Sequence, residues 1–433
     1  MRAMKDSGIP WIEEIPENWS VFNIRQLFSF GKGLPITKEN LREKGVSVIS
    51  YGQIHSKLNK GTSIIPDLIR YVDNSYLTSN PESLTKKGDF IFADTSEDVL
   101  GCGNCVYVDK DITLFAGYHT IILRNKAKES SKYLAYLFST DAWRKQIRER
   151  VAGVKLFSVS QKILRETSII LPPFVEQERI VDCLDTECAR IDAVMEQTRA
   201  SIEEYKKLKQ SIVTEAVTKG IRPNRRVKPC TIDNLDVIPE SWKEIRNSFL
   251  FRENVRIPYE DSPSLSLSQA DGLILTDDMK ERSLKTSSYD GWKRVEKGDL
   301  VLNRFKAHLG VFFAASVEGM VSFHYGVYAP VQIINSKYYE YLFHSDIYRG
   351  IFSYKSNGMT VGLQNLSNQS FYDVKSLYPP IEEQNEIVAW LDQENSRIDS
   401  LIEKKQELLS GLESYKQSII FEYVTGKKEV VIP

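Results

Sequence analysis

The chain has 433 residues, 42% of them hydrophobic and 27% charged, with a formal net charge of −1. That is the composition of a globular protein with room for two or three domains, and the near-neutral total argues against a chain that grips nucleic acid unaided. No apolar run reaches the roughly eighteen residues that span a bilayer. Residues 1–16 lack the apolar stretch of a signal peptide, and the 5 cysteines are scattered, so no membrane association and a reducing cytoplasmic interior are expected.

In chain order, Ile15-Pro16-Glu17-Asn18-Trp19 leads into a region (21–171) of short apolar runs separated by turns. Segments 46–49, 90–92, 105–108 and 120–123 read as strands, and 132–150 as helix. After Pro172-Pro173 the pattern changes. Glu176 and Gln177 stand in the first turn of a helix, where a carboxylate suits the positive end of the dipole. Apolar positions then recur at Leu184, Cys188, Ile191, Met195, Thr198, Ile202 and Tyr205 in alternating steps of four and three, the seam of a coiled coil. With no proline before Pro223, about 45 residues at roughly 1.5 Å each give a helix of about 65–70 Å. An amphipathic helix of that length needs a partner for its stripe, either its own domain or its own repeat.

The chain then repeats itself. Ile238-Pro239-Glu240-Ser241-Trp242 returns, and Lys87-Gly88-Asp89 reappears as Lys297-Gly298-Asp299. Tyr133 and Tyr136 have counterparts in Tyr338 and Tyr341. Segments 300–302, 310–313 and 327–331 read as strands and 337–352 as helix. Pro379-Pro380, Glu383-Gln384, Arg397-Ile398-Asp399 and Lys416-Gln417-Ser418-Ile419 repeat the first long helix without a gap. The second seam runs Leu391, Asn395, Ile398, Ile402, Lys405, Leu409, Leu412. The expected fold is therefore α+β. Two globular, mixed, curved-sheet domains are separated by two long antiparallel helices that form an intramolecular coiled coil with pseudo-two-fold symmetry. The segments are 1–171, 172–220, 221–378 and 379–427, with a tail at 428–433. Two flipped readers on such a strut suit a split DNA target.

Polar loop residues are the candidates for touching DNA. In the first domain they are Tyr51, Gln53, His55, Thr95, Ser96, His119 and Lys155; in the second, Gln269, Asn303, Arg304, Lys306, His308, His324, Tyr325 and Asn357. Arginine matches guanine and Gln or Asn matches adenine in the major groove. His119 and His324 occupy equivalent places in the two copies, although a histidine beside a tyrosine at a strand start is also an ordinary half-buried polar pair. The basic run Arg144, Lys145, Arg148, Arg150 and the later Arg222, Arg225, Arg226, Lys228 suit phosphates or a merely solvated face. On the helices, Glu176, Gln177, Leu184, Ile191, Ile202, Tyr205, Glu383, Gln384, Leu391, Ile398, Leu409 and Leu412 are expected to serve the spacer and the docking of partners.

Leu171-Pro172-Pro173-Phe174 and Tyr378-Pro379-Pro380 lack the leading Asn or Asp with which DNA amino-methyltransferases hold the target base amine. No phosphate loop Gly-x-x-x-x-Gly-Lys-Ser/Thr occurs. Cys102-Gly103-Asn104-Cys105 is a lone pair where zinc needs four ligands. No catalytic, cofactor or metal residue is expected. A self-sufficient methyltransferase or nuclease, and a coiled-coil scaffold that does not read DNA, stand as the competing readings.

The order of these motifs, written twice, resembles the specificity subunit of type I restriction-modification enzymes over nearly the whole chain. Thr360-Val361-Gly362-Leu363 before Asn365-Leu366-Ser367 resembles that family's approach to the double proline, from which 153–160 departs. The resemblance implies a non-catalytic subunit in which two target recognition domains each read half of a bipartite asymmetric site. It implies two methyltransferase subunits on the helices, with two motor-nuclease subunits as possible further partners. S-adenosylmethionine, ATP and magnesium then belong to those partners and not to this chain.

Overall fold

The computed structural model describes residues 2–126, 129–153, 155–259, 261–268, 272–279, 290–356 and 365–430. It is a mixed α+β fold that divides into two compact units. The first comprises Met1–Gln197 with Glu407–Pro433, and the second Thr198–Gln406. These boundaries fall inside the two long helices, Phe174–Lys219 and Ile381–Val424, so each unit contains one globular module and a part of both helices.

The centre of the first module is a four-stranded antiparallel sheet in the order Cys105–Tyr107, Phe90–Ala93, Thr120–Asn125, Phe28–Lys32. A second sheet runs Arg70–Val72, Val46–Ile49, Leu114–Ala116, Leu84–Thr85 and contains one parallel pair. The helical segment expected at 132–150 is two helices, Ser131–Ser139 and Asp141–Arg148. They separate because Thr140 leaves the helical backbone and its side chain accepts the Trp143 N–H as an N-cap.

The second module repeats the central sheet as Phe251–Glu253, Tyr325–Pro330, Leu300–Asn303, Phe312–Ala314. Its helical segment breaks at the same place, into Ser336–His344 and Asp346–Lys355.

The motifs found twice in the sequence do the same structural work twice. In each Lys-Gly-Asp turn the glycine has positive φ (96° at Gly88, 87° at Gly298), which a side chain would strain. The aspartate closes the turn: Asp89 accepts the Lys86 N–H at 2.9 Å and Asp299 the Glu296 N–H at 2.9 Å. Burial pushes both carboxyls up in pKa; Arg124 beside Asp89 and Arg256 beside Asp299 counter it. Trp19 is wholly buried edge-on to Tyr133, with centroids 6.5 Å apart, and Trp242 stands 6.4 Å from Tyr338 in the same way.

Each of those tyrosines holds the last turn of a long helix. The Tyr133 hydroxyl donates to the Val424 carbonyl at 2.9 Å in the first unit, and Tyr338 to that of Val217 at 2.9 Å in the second. Val217 and Val424 are equivalent positions of the repeat. The start of each helix is tied to the module before it. Gln177 donates to the Pro172 carbonyl and accepts the Ser130 N–H, both at 2.9 Å; Gln384 does the same with Pro379 and Asn335. Glu176 pairs with Arg2 and Glu383 with Arg225.

The two helices run in opposite senses in both units. In the first, Asp192 meets Lys416 while Ile180, Val181 and Leu184 share a core with Ile419, Ile420 and Tyr423. In the second, Lys209 meets Asp399 while Arg222, just beyond the helix, meets Glu386. Leu184, Ile191, Ile202, Leu391 and Ile398 are buried; Tyr205, Leu409 and Leu412 are half-buried. Among the described residues, no helix is long and apolar enough to cross a membrane.

Candidate nucleic-acid interface

In the first unit the central sheet ends in a polar lip. The Thr120–Asn125 strand pairs Thr120 with Ala93, so His119 and Asp94 stand opposite each other just beyond the ladder. His119 is exposed and has φ of 55°, a left-handed conformation uncommon for a side-chain-bearing residue and often found at functional loops. Its Nδ1 lies 3.2 Å from Asp94 Oδ1, the same oxygen that accepts the Thr95 hydroxyl at 2.8 Å. The ring of Tyr51 is 5.4 Å from His119, 5.6 Å from Tyr118 and 6.3 Å from His55. His55 is fixed from two sides, Nε2 at 2.8 Å from the Thr95 carbonyl and Nδ1 at 3.3 Å from the Asn104 amide.

Six residues proposed from the sequence are therefore brought together here, with two differences. Ser96 is buried, 3% exposed, and its hydroxyl donates to the Asp98 carbonyl at 2.7 Å. It shapes the loop and has no surface left for a base. Gln53 accepts the Ser50 N–H at 3.1 Å through its side-chain oxygen and so caps the short helix Tyr51–Ile54. Lys155 is exposed two residues before Phe157, which pairs with Ser96, and so lies beside the lip. Sequence reasoning passed over Asp94, which organises the cluster, and Asn104, which orients His55. Their only signal was proximity to Thr95 and to the cysteine pair.

The second unit builds its lip at the same sheet edge. Asn303 pairs with Tyr325, placing His324 opposite Arg304, the position that Asp94 holds in the first copy. His324 is exposed, 3.9 Å from the ring of Phe323 and 6.1 Å from that of Phe305. Both phenylalanines are exposed, at 56% and 45%. Lys306 is exposed and His308 half-buried in the 3-10 turn Arg304–Leu309, which Asn303 starts by accepting the Phe305 N–H at 3.1 Å.

Arg304, expected to read a base, turns inward and donates to Glu253 Oε1 at 2.5 Å. Lys293, 2.9 Å from the same oxygen, and the Asn368 amide complete a half-buried network. The reason is local: a cation held under the sheet edge next to a carboxylate lowers the cost of burying both. Tyr325 is also corrected. Burial raises its pKa, and its ring packs with the Leu265, Val301 and Val327 cluster. Gln269 and Asn357 lie outside the described residues.

Most cations of the basic runs are engaged internally. Arg144 is half-buried, with its Nε on the Phe138 carbonyl at 2.9 Å, and Arg148 bonds Leu100 O at 2.7 Å and Asp141 at 3.0 Å. Arg222 and Arg225 pair with Glu386 and Glu383. Gln177 and Gln384 are 0% exposed and Glu383 is 2% exposed, so these helix residues join module to helix and present no surface to a partner. Cys102 and Cys105 are buried free thiols, and burial pushes Cys105 up to about 12. The described residues contain no metal-binding group of three or more His, Cys, Asp or Glu.

Two like modules, each presenting histidine and aromatic rings at one sheet edge, define a duplicated recognition protein. The chain belongs to the family of the type I restriction modification DNA specificity domain, which it matches at residues 16–204 and 242–410. It is a DNA sequence-recognition subunit of that kind.

The chain is 21% identical over 440 residues to the type I restriction enzyme EcoKI specificity subunit of Escherichia coli strain K12, covering 96% of this chain and 90% of that one. To the MjaVIII specificity subunit of Methanocaldococcus jannaschii it is 22% identical over 215 residues, 49% of this chain and 48% of that one. In fold it is similar to the HsdS subunit of Thermoanaerobacter tengcongensis, with TM-score 0.52 and 17% identity over 96% and 98% of the two chains. A chain from a structure of "complex assembly and conformational transition of the type I R-M system" gives TM-score 0.68 at 17% identity, covering 96% and 99%.

Proposed function

We propose that each module reads one half of a bipartite, asymmetric DNA site and that the long helices set the unread gap between the halves. The observation that carries this reading is the recurrence of one lip at one sheet edge in two modules whose remaining loops differ. The shared frame positions the reader and the divergent loops give each half-site its own sequence. The opposed helix contacts support an intramolecular antiparallel coiled coil with pseudo-two-fold symmetry, the symmetry of a DNA duplex. The segment boundaries follow: target recognition domains at 1–171 and 221–378, spacer helices at 172–220 and 379–427.

This chain performs no chemistry in that reading. Two methyltransferase subunits dock on the helices, and motor-nuclease subunits join them in the cytoplasm. S-adenosylmethionine, ATP and magnesium are held by those partners. The net charge of −1 fits this arrangement, because partners supply much of the phosphate contact.

The test is methylome sequencing of cells that express the chain with its methyltransferase subunit. A two-part motif is expected, and replacing residues 21–171 with a homologous domain should change one part only. Methylation without a motif, or a change in both parts, would sink the proposal.

A further inference from the structure

Beside the polar lip of the first unit stand apolar side chains that no core uses. Leu100 is 72% exposed, Leu156 58% and Val99 39%. Single exposed leucines are ordinary, but these flank one cluster and two of them sit on a loop held rigidly in place. The loop that follows Ser96 is closed by the Gly101 N–H on Asp98 Oδ1 at 2.6 Å and by the Cys102 N–H on the Val99 carbonyl at 3.2 Å. Arg148 donates to the Leu100 carbonyl at 2.7 Å. The backbone at Gly101 lies directly on the lip, since a Cβ there would stand 2.5 Å from Ser96 Oγ and 3.0 Å from His55 Nδ1. Leu156 enters from the other side, one residue before Phe157, which pairs with Ser96 in an antiparallel ladder.

Such a backbone holds the Leu100 side chain in solvent with little left to lose on binding, the condition for an anchor in an interface. On a surface that meets base edges, a branched aliphatic group has one chemical complement in the major groove, the C5 methyl of thymine. We propose that Leu100 and Leu156 are specificity-determining residues that select thymine at the edge of the half-site read by the first module. The inference rests on the DNA-reading function proposed above. Val99, less exposed, supports the loop. The second lip presents the exposed rings of Phe305 and Phe323.

The experiment uses the full complex with its methyltransferase subunit and duplexes carrying the mapped motif, in which each thymidine in turn is replaced by deoxyuridine, which lacks only the methyl group. Loss of a methyl contact of the size of one buried carbon should weaken binding of the wild-type complex about three- to tenfold at one or two positions of the first half-site. The double variant Leu100→Ala, Leu156→Ala should bind thymidine and deoxyuridine duplexes equally at those positions. It should keep any discrimination in the second half-site, and its melting temperature should be unchanged, because neither side chain is buried. The single variants assign one position to each leucine.

A first half-site with no thymine, a wild-type complex indifferent to deoxyuridine there, or discrimination that survives in the double variant would each overturn the proposal. Absence of any methylation motif is a different failure, that of the sequence-reading function itself.

Discussion

Asp192 and Lys416 form an ion pair of 2.7 Å between the two long helices, and their repeat equivalents, Asp399 and Lys209, form the same pair at 2.7 Å. The motifs Arg-Ile-Asp and Lys-Gln-Ser-Ile, which occur in each helix, are thus the two sides of one contact made twice. Asp192 also accepts from Lys60 at 2.9 Å, and that link has no counterpart among the ion pairs of Asp399. Reversing Lys416 to Glu should destabilise the first unit by about 1 kcal/mol or less, the scale of a partly exposed pair. Adding Asp192→Lys should recover part of the loss. A double-mutant cycle by urea denaturation gives the coupling; a value of zero would mean that the pair is incidental.

The same carboxylate sets a pH dependence. Burial pushes Asp192 up, but hydrogen bonds and charge from Lys416 and Lys60 outweigh it and hold the group below the ordinary carboxylate range. A lowered folded-state value contributes stability that is complete above the unfolded value of about 3.9 and lost as pH falls through the folded one. The melting temperature of Asp192→Asn should therefore fall less steeply than that of wild type below about pH 4. Parallel acid limbs would refute the assignment.

Arg225 and Glu383 make the buried version of a contact that Arg222 and Glu386 make at the surface. Glu383 is 2% exposed, whereas Arg222 and Glu386 are 52% and 46% exposed. Arg225→Met leaves a carboxylate buried without its cation and should cost about 3–5 kcal/mol, while Arg222→Met should cost about 1 kcal/mol or less. Chemical denaturation of both variants distinguishes them, and equal losses would contradict the burial argument.

Removing the hydroxyl of Tyr133 or of Tyr338 breaks the bond to the last turn of a long helix. Either Phe variant should lose about 0.5–1.5 kcal/mol, with an additional penalty for the buried carbonyl left unpaired. Hydrogen exchange should show the loss at the amides around Val424 in the first case and around Val217 in the second. Uniform loss across the chain would show that the contact is not a local clamp.

Arg304 and His324 face each other at the second lip but have different expected effects. Arg304→Ala removes one of the two cations on Glu253, leaving Lys293 in place, and should lower stability by about 1.5 kcal/mol. His324→Ala should leave the melting temperature unchanged and weaken binding of the mapped motif about tenfold, within the 1–3 kcal/mol of a lost base contact. Binding by the full complex at fixed salt, together with melting of the free chain, separates the two. A stable Arg304→Ala protein with altered sequence preference would reverse their roles.

Periodicity and repetition carry different amounts of structural information. Leu184, Ile191 and Ile398 could be placed on a helix seam because burying an apolar stripe at steps of four and three leaves a helix few alternatives. Strands such as Phe90–Ala93 could be placed because a short apolar run between turns is a buried strand. The break at Thr140 was missed, since one N-capping hydroxyl between two apolar stretches leaves the periodicity intact.

The candidate site was partly legible. Tyr51 and His55, Thr95, and His119 come from three separate stretches of the sequence, and each was marked only by being polar in a loop. The register of Thr120 on Ala93 converges them around Asp94, whose role has no local signature.

The sequence by itself determined the doubling, the helical rods and the kind of module, because these follow from local spacing and from likeness between distant segments. Only the tertiary structure decided which charged and polar residues remain free to meet DNA. Arg304 and Arg144 carry the same guanidinium that a DNA reader would use, yet the first bonds to Glu253 and the second to the Phe138 carbonyl. A side chain's chemistry is written at its own position; whether another group already satisfies it depends on residues brought near by folding.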